Sequence, residues 1–185
     1  MKLQNRLDGC TCYLCGPMDM AKDGGVGWRD EITPKLQKMG IRVLDPCKKP
    51  STMGIMQDES KARENMRKWK ETGKFGKIRP AYKMIRSIDL RCVDESSFLI
   101  GYINTDVFMC GTIEEISVAN RSKKPVLLCI EGGKAKCPNW LLLMLDHRHI
   151  FGSWDELLSY LQKINKGRVA TWDNRWIFFD WGKKK

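Results

Sequence analysis

The chain holds 185 residues, 42% of them hydrophobic, enough to bury one good core and too few for a second full domain. It has no run of about 18 apolar residues, and its opening MKLQNRLDG lacks the apolar stretch of a signal peptide, so a cytoplasmic protein with no membrane span is expected. Thirty-three Lys and Arg against 22 Asp and Glu leave a formal charge of +11, which suits an anionic partner, yet no recognised nucleic-acid motif or alternation of basic and aromatic residues favours DNA or RNA.

Gly9 to Leu14 reads as a first strand, broken by Gly16 and Pro17 and then by a glycine-rich loop, Asp23 to Gly27. Such a loop lets backbone approach a ligand, which makes Gly25 and Gly27 candidate substrate contacts. It is not a GxGxxG fingerprint, and no acidic residue follows in a ribose-binding position, so no dinucleotide cofactor is expected. Trp28 to Met39 is expected to be a helix stopped by Gly40, and Ile41 to Leu44 a second strand closed by Asp45 and Pro46. The eight cysteines, at 10, 12, 15, 47, 92, 110, 129 and 137, lie mostly in apolar strands or beside turns and are read as reduced thiols. Strand alternation points Cys10 and Cys12 to one face and Tyr13 and Cys15 to the other, and the two histidines, His147 and His149, are distant, so no metal site is expected.

Residues 48 to 79 form a basic insertion, with ten Lys and Arg against Asp58, Glu59, Glu64 and Glu71. A helix from Gln57 to Lys70 is expected, leaving through Gly73 and Gly76. It is either a solvated surface helix or a basic face for a nucleotide phosphate or for nucleic acid.

Pro80 to Ile88 reads as the next helix, ending at Asp89-Leu90, and Arg91 to Ser97 leads into an apolar run, Phe98 to Tyr102, typical of a strand covered on both faces. A polar loop holding Asn104 and Asp106 follows, and Gly111-Thr112 opens a helix with Glu114 and Glu115 in its first turn. There the unpaired N–H groups and the helix dipole favour a carboxylate, which is expected to be ionised at neutral pH and able to act as a nucleophile above a strand end. Thr112-x-x-Glu115 is equally a capping box, which would account for both residues without any chemistry.

Val126 to Ile130 reads as a fourth strand, Trp140 to Leu145 as a short apolar helix or strand, and His149 to Phe151 as a fifth strand. Ser153 to Glu156 caps a last helix to Ile164. Strands alternating with helices point to an α/β fold, a parallel sheet in three layers. The tail, 166–185, carries Trp172, Trp176, Phe178, Phe179 and Trp181, and packs either on its own domain or on a partner subunit, the subunit contact being slightly favoured.

Three segments together resemble the nucleoside 2-deoxyribosyltransferase family and the related 2′-deoxynucleoside 5′-monophosphate N-glycosidases, most of all forms seen in bacteriophage genomes. A first strand with a tyrosine and a small-residue turn is matched by Tyr13-Leu14-Cys15-Gly16-Pro17, and an Asp-Leu ahead of the central strand by Asp89-Leu90. A glutamate four residues after a glycine is matched by Gly111 and Glu115 rather than Glu114. The match spans about residues 10 to 130. It departs from the pattern at Met109, where nucleoside-type members often carry an acid, the nearest acid here being Asp106; the insertion 48–79 lies outside the matched segments.

The resemblance implies a flavodoxin-like or Rossmann-like fold with a basic helical insertion, a homo-oligomer, and a deoxynucleoside or deoxynucleotide substrate, with a second base as acceptor if the reaction is transfer. It implies that Glu115 attacks C1′, that Asp89 protonates or holds the base, and that Tyr13 positions Glu115, because an oxocarbenium-like transition state needs a carboxylate at one side and an acid at the departing nitrogen. Gly16, Pro17, Gly25, Gly27, Asn104, Asp106, Gly111 and Thr112 complete the expected contacts, with no metal and no cofactor. A 5′-phosphate is expected to be read by the glycine loop and by cations between Lys61 and Arg79, the basic helix acting as a lid. The alternative is a protein without catalysis that binds a nucleotide or nucleic acid through its basic surface.

Overall fold

The apolar runs pair as five parallel strands, β1 (Thr11–Cys15), β2 (Arg42–Leu44), β3 (Phe98–Ile103), β4 (Val126–Ile130) and β5 (Ile150–Phe151), in the spatial order β2-β1-β3-β4-β5. The computed structural model describes residues 5–49, 59–169 and 175–178, with 59–63 described for their backbone alone. Parallel neighbours need long crossovers, supplied by α1 (Val26–Gln37), α2 (Glu59–Glu71), α3 (Ile78–Glu95), α4 (Cys110–Arg121), α5 (Asn139–Met144) and α6 (Trp154–Asn165). No helix among the described residues is long and apolar enough to cross a membrane.

Alternation along the strands sorts the core into two clusters. Cys12, Leu14, Phe98, Ile100 and Leu127 pack against Ile32 and Leu36 of α1 and Leu157, Leu161 and Ile164 of α6. Tyr13, Cys15, Leu99, Ile103 and Leu128 pack on the opposite face against Val93 of α3, Ile116 and Ala119 of α4 and Leu141 of α5. The layers are therefore helix, sheet, helix, as the continuous burial of β1 and β4 requires. The strand order is the flavodoxin-like one, in which the chain reverses direction across the sheet between β1 and β3 and leaves a crevice at their C-terminal ends.

Two expectations change. Asp89 lies in the middle of α3, not at a helix end, and the expected lead-in from Arg91 is helical to Glu95. Nothing between Pro80 and Ser96 breaks the helix, and Pro80 is tolerated because it sits in the first turn. Second, α4 begins at Cys110, with Met109 at its N-cap, so Glu114 and Glu115 lie beyond the first turn and Thr112 is a buried position inside the helix, not its cap. The described part of the tail packs on its own domain, one of the two arrangements expected of it. Trp176 is 5% exposed, its ring meets Phe98 at 5.0 Å, and its Nε1 donates to the Tyr160 hydroxyl at 3.1 Å. Trp172, Phe179 and Trp181 lie outside the described residues, as does the expected helix start at Gln57.

The last helix keeps the expected cap. Ser153 Oγ accepts from the Glu156 N–H at 3.3 Å, while the Glu156 carboxylate accepts from the Gly152 N–H at 2.8 Å.

Candidate active site

Tyr13 stands in the middle of β1 with its ring fully buried on the face covered by α3 and α4. Its hydroxyl donates to Glu115 Oε1 at 2.7 Å, bringing together two residues 102 positions apart. Burial pushes the Glu115 carboxyl up to about 7, and the Asp89 charge adds to this; the Tyr13 hydrogen bond, Arg29 and Lys49 pull the other way. The carboxylate expected to be ionised at neutral pH is thus only partly so, because desolvation opposes the charge and Glu115 lies beyond the first turn, where the dipole is strongest. Burial and the neighbouring carboxylates push the Tyr13 hydroxyl far upward, so it remains a proton donor in its hydrogen bond.

The adjacent glutamate faces the other way. Glu114 accepts from Arg86 of α3, Nε to Oε2 at 2.9 Å with a second contact from Nη2 to Oε1, and this pairing holds its carboxyl below the ordinary range. One helical step of about 100° separates a glutamate bound to the sheet from one paired at the surface.

Asp89 reaches the same region from α3. Lys49, just beyond the turn that follows β2, lies with its Nζ 3.0 Å from Asp89 Oδ1, and the two side chains are 15% and 17% exposed. In the sequence Lys49 is one charge of a basic run; the only signal marking it is its place beyond the C-terminal end of a parallel strand, where ligand-binding residues collect. Lys49, Asp89, Gly111 and Glu115 line a cleft of about 410 Å³, closed on its apolar side by Met18, Met66, Tyr82, Ile85 and Leu90. The basic helix α2 contributes Met66 to the lining of this cleft, while Lys70 reaches Asp19 at 3.8 Å and Arg67 reaches Glu71 at 3.9 Å. The side chains of Lys61 and Arg63 lie outside the described residues.

The glycine loop is built differently from the phosphate cradle expected of it. Asp23 accepts from the N–H groups of Gly25 at 2.8 Å and Gly27 at 2.9 Å, so a carboxylate of the chain already holds the donors a phosphate would need. Gly25 has φ of +78°, and a Cβ there would lie 2.2 Å from the Pro17 carbonyl oxygen, so this turn accepts glycine alone. Beneath it lies Arg29, fully buried and unforeseen in the sequence. Its guanidinium donates to the carbonyls of Gly25 at 2.6 Å, Gly16 at 3.2 Å and Leu14 at 3.4 Å, and stands 3.6 Å from Asp45 Oδ1. It locks the end of β1, and with it Tyr13, to the loop.

Gly16 serves this lock and the Pro17 carbonyl lies against Gly25, and Asn104 accepts from the Asp106 N–H at 2.9 Å in a turn beside a separate hollow lined by Phe108, Ile113 and Pro138. Of the expected site residues, the structure gathers Tyr13, Asp89, Gly111 and Glu115, while Thr112 is a buried position of α4. Among the described residues, no three His, Cys, Asp or Glu side chains gather as metal ligands would.

No protein-family model matches the chain, and no curated protein matches it in sequence. Solved structures do resemble it. The 2-deoxyribosyltransferase of the psychrotolerant bacterium Bacillus psychrosaccharolyticus is similar at 18% identity and a TM-score of 0.52, over 81% of this chain and 91% of that one. A 2-deoxyribosyltransferase of Leishmania mexicana is similar at 14% identity and a TM-score of 0.53, over 83% and 97%. A CMP N-glycosidase of Clostridium botulinum aligns at 16% identity with a TM-score of 0.44, over 83% and 97%. The first two likenesses are of fold.

Proposed function

We propose that this chain breaks the N-glycosidic bond of a 2′-deoxynucleoside or its 5′-monophosphate, by transfer to a second base or by hydrolysis, with Glu115 as the nucleophile. The observation that carries the proposal is the Tyr13–Glu115 contact at the floor of a cleft that also holds Asp89 and Lys49. The fold shared with two 2-deoxyribosyltransferases supports it.

The chemistry follows from the groups. Tyr13 holds Oε1 of Glu115, which leaves Oε2 to form a bond to C1′ as the C1′–N bond breaks and its electron pair leaves with the base. The Asp89–Lys49 pair meets the departing base with a proton or a hydrogen bond. A second base or a water then attacks C1′ and restores the carboxylate. A carboxyl raised to about 7 is a more basic nucleophile than an exposed one, and it reacts only when ionised, so the rate climbs as pH rises through about 7. Both described cations of the cleft, Lys49 and Arg86, are engaged with carboxylates, which suits an uncharged nucleoside better than a monophosphate.

The test is a panel of deoxynucleosides and deoxynucleoside monophosphates, with and without an acceptor base, followed by chromatography of released base. Wild type should release base, Glu115→Ala should not, and Glu114→Ala should retain most activity. Normal turnover by Glu115→Ala would remove the covalent mechanism. A wild type that releases no base yet binds DNA with a steep salt dependence would put the binding protein in its place.

A further inference from the structure

Among the described residues, Arg29 is the only charged side chain buried completely. Its guanidinium stands 3.6 Å from the Asp45 carboxylate, itself 8% exposed. Taking two charges out of water is a poor source of stability, so a pair this deep points to a task at the site. Neither side chain lines the cleft, yet each holds a segment that serves it. Arg29 donates to the carbonyl of Leu14, the neighbour of Tyr13 in β1, and to those of Gly16 and Gly25. Asp45 closes β2, and its Oδ1 also accepts from the Cys47 N–H at 2.8 Å, capping the turn Pro46–Lys48 that Lys49 follows. β1 and β2 pair with Tyr13 opposite Leu44, so one buried pair fixes the exits of two adjacent strands.

We infer that Arg29 and Asp45 are positioning residues for the nucleophile, Arg29 holding the strand end that presents Tyr13 and lending Glu115 a fixed positive charge, and Asp45 moderating that charge. The inference rests on the glycosidic reading above. The groups whose charges act on Glu115 are Tyr13 and Cys15 of β1, Asp89 and Cys92 of α3, Lys49 and Arg29; Glu114 of its own helix is paired outward with Arg86. Burial holds the tyrosine and the two thiols neutral at neutral pH. That leaves two cations, each with a carboxylate of its own. Asp89 lines the cleft and opposes the charge of Glu115, so the Lys49 pair largely cancels there. Asp45 does not line it, so the Arg29 pair leaves a net positive field at the nucleophile. A pair serves better than a lone cation. With no guanidinium, the desolvated carboxyl would keep its proton at neutral pH and could not attack; an unmatched guanidinium would ionise it fully and make it a weaker base.

The experiment follows the acid limb of the pH–rate profile, using the full chain and the deoxynucleoside that wild type cleaves fastest. In parallel, carbon NMR of glutamate-labelled protein, assigned with Glu115→Gln, titrates the Glu115 carboxyl itself. Arg29→Gln removes the charge and keeps amide donors, so limb and titration should both move to higher pH by about half a pH unit or more. Asp45→Asn keeps an acceptor for the Cys47 N–H and leaves Arg29 unmatched, so both should move to lower pH by a similar amount. Arg29→Lys keeps the charge and loses the forked contacts; its limb should stay near that of wild type while kcat falls by roughly tenfold. A purely structural pair would lower kcat without opposite shifts. Shifts in the same direction for Arg29→Gln and Asp45→Asn, or none in folded Asp45→Asn, therefore overturn the inference; should Arg29→Gln not fold, Asp45→Asn decides alone. Absence of base release by wild type would overturn the glycosidic reading instead, and the NMR titration would still decide whether this pair sets the charge of Glu115.

Discussion

Replacing Glu115 with glutamine separates the chemical role of this residue from its effect on stability. The substitution keeps the shape of the side chain and an acceptor for the Tyr13 hydroxyl, and it removes the titrating proton. In the folded protein the carboxyl is raised from an ordinary 4.5 to about 7, burial being the main cause. The folded state therefore holds a proton that the unfolded chain releases between these two values. Stability from this group is fully present below pH 4.5 and is lost as pH rises through about 7. At roughly 1.4 kcal/mol per pH unit, the loss comes to about 3 kcal/mol, or roughly 6–12 °C in Tm for a chain of this size. Urea or thermal unfolding of wild type and Glu115→Gln across pH 5 to 8.5 reads this directly. The two proteins should differ little at pH 5, and the variant should be the more stable by up to about 3 kcal/mol at pH 8.5 while releasing no base. Parallel stability curves over this range would show that Glu115 does not titrate in it, and the account of a desolvated nucleophile would fall.

Two further substitutions probe the contacts around the site. Tyr13→Phe removes the hydrogen bond that pulls the Glu115 value down, so the acid limb of the pH–rate profile should move to higher pH and kcat fall by roughly tenfold or more; an unmoved limb would mean the hydroxyl has no influence on the carboxyl. Trp176→Ala empties the space beside Phe98 and should lower stability by about 3–5 kcal/mol in urea unfolding, whereas a change near zero would show that the tail does not dock in this core.

What the sequence determined alone is what local pattern encodes. The apolar runs that become β3 and β4, the cap at Ser153, and the division of Cys12 from Tyr13 and Cys15 between two faces all follow from periodicity of two or 3.6 residues and from the hydrogen-bonding habits of short side chains. A resemblance in spacing added Tyr13, Asp89 and Glu115, and the fold brings these three into one region. Only the tertiary structure decided the electrostatics. Whether a carboxylate keeps its charge depends on how much water the rest of the molecule removes from it, and burial, not a place in the first turn of α4, sets the state of Glu115. Lys49 looked like one lysine among many until β2 delivered it to Asp89, 40 residues later in the chain and in a different layer. Arg29 carried no mark at all, because a buried arginine is made tolerable by carbonyls from distant segments, and a sequence shows the charge without showing what surrounds it.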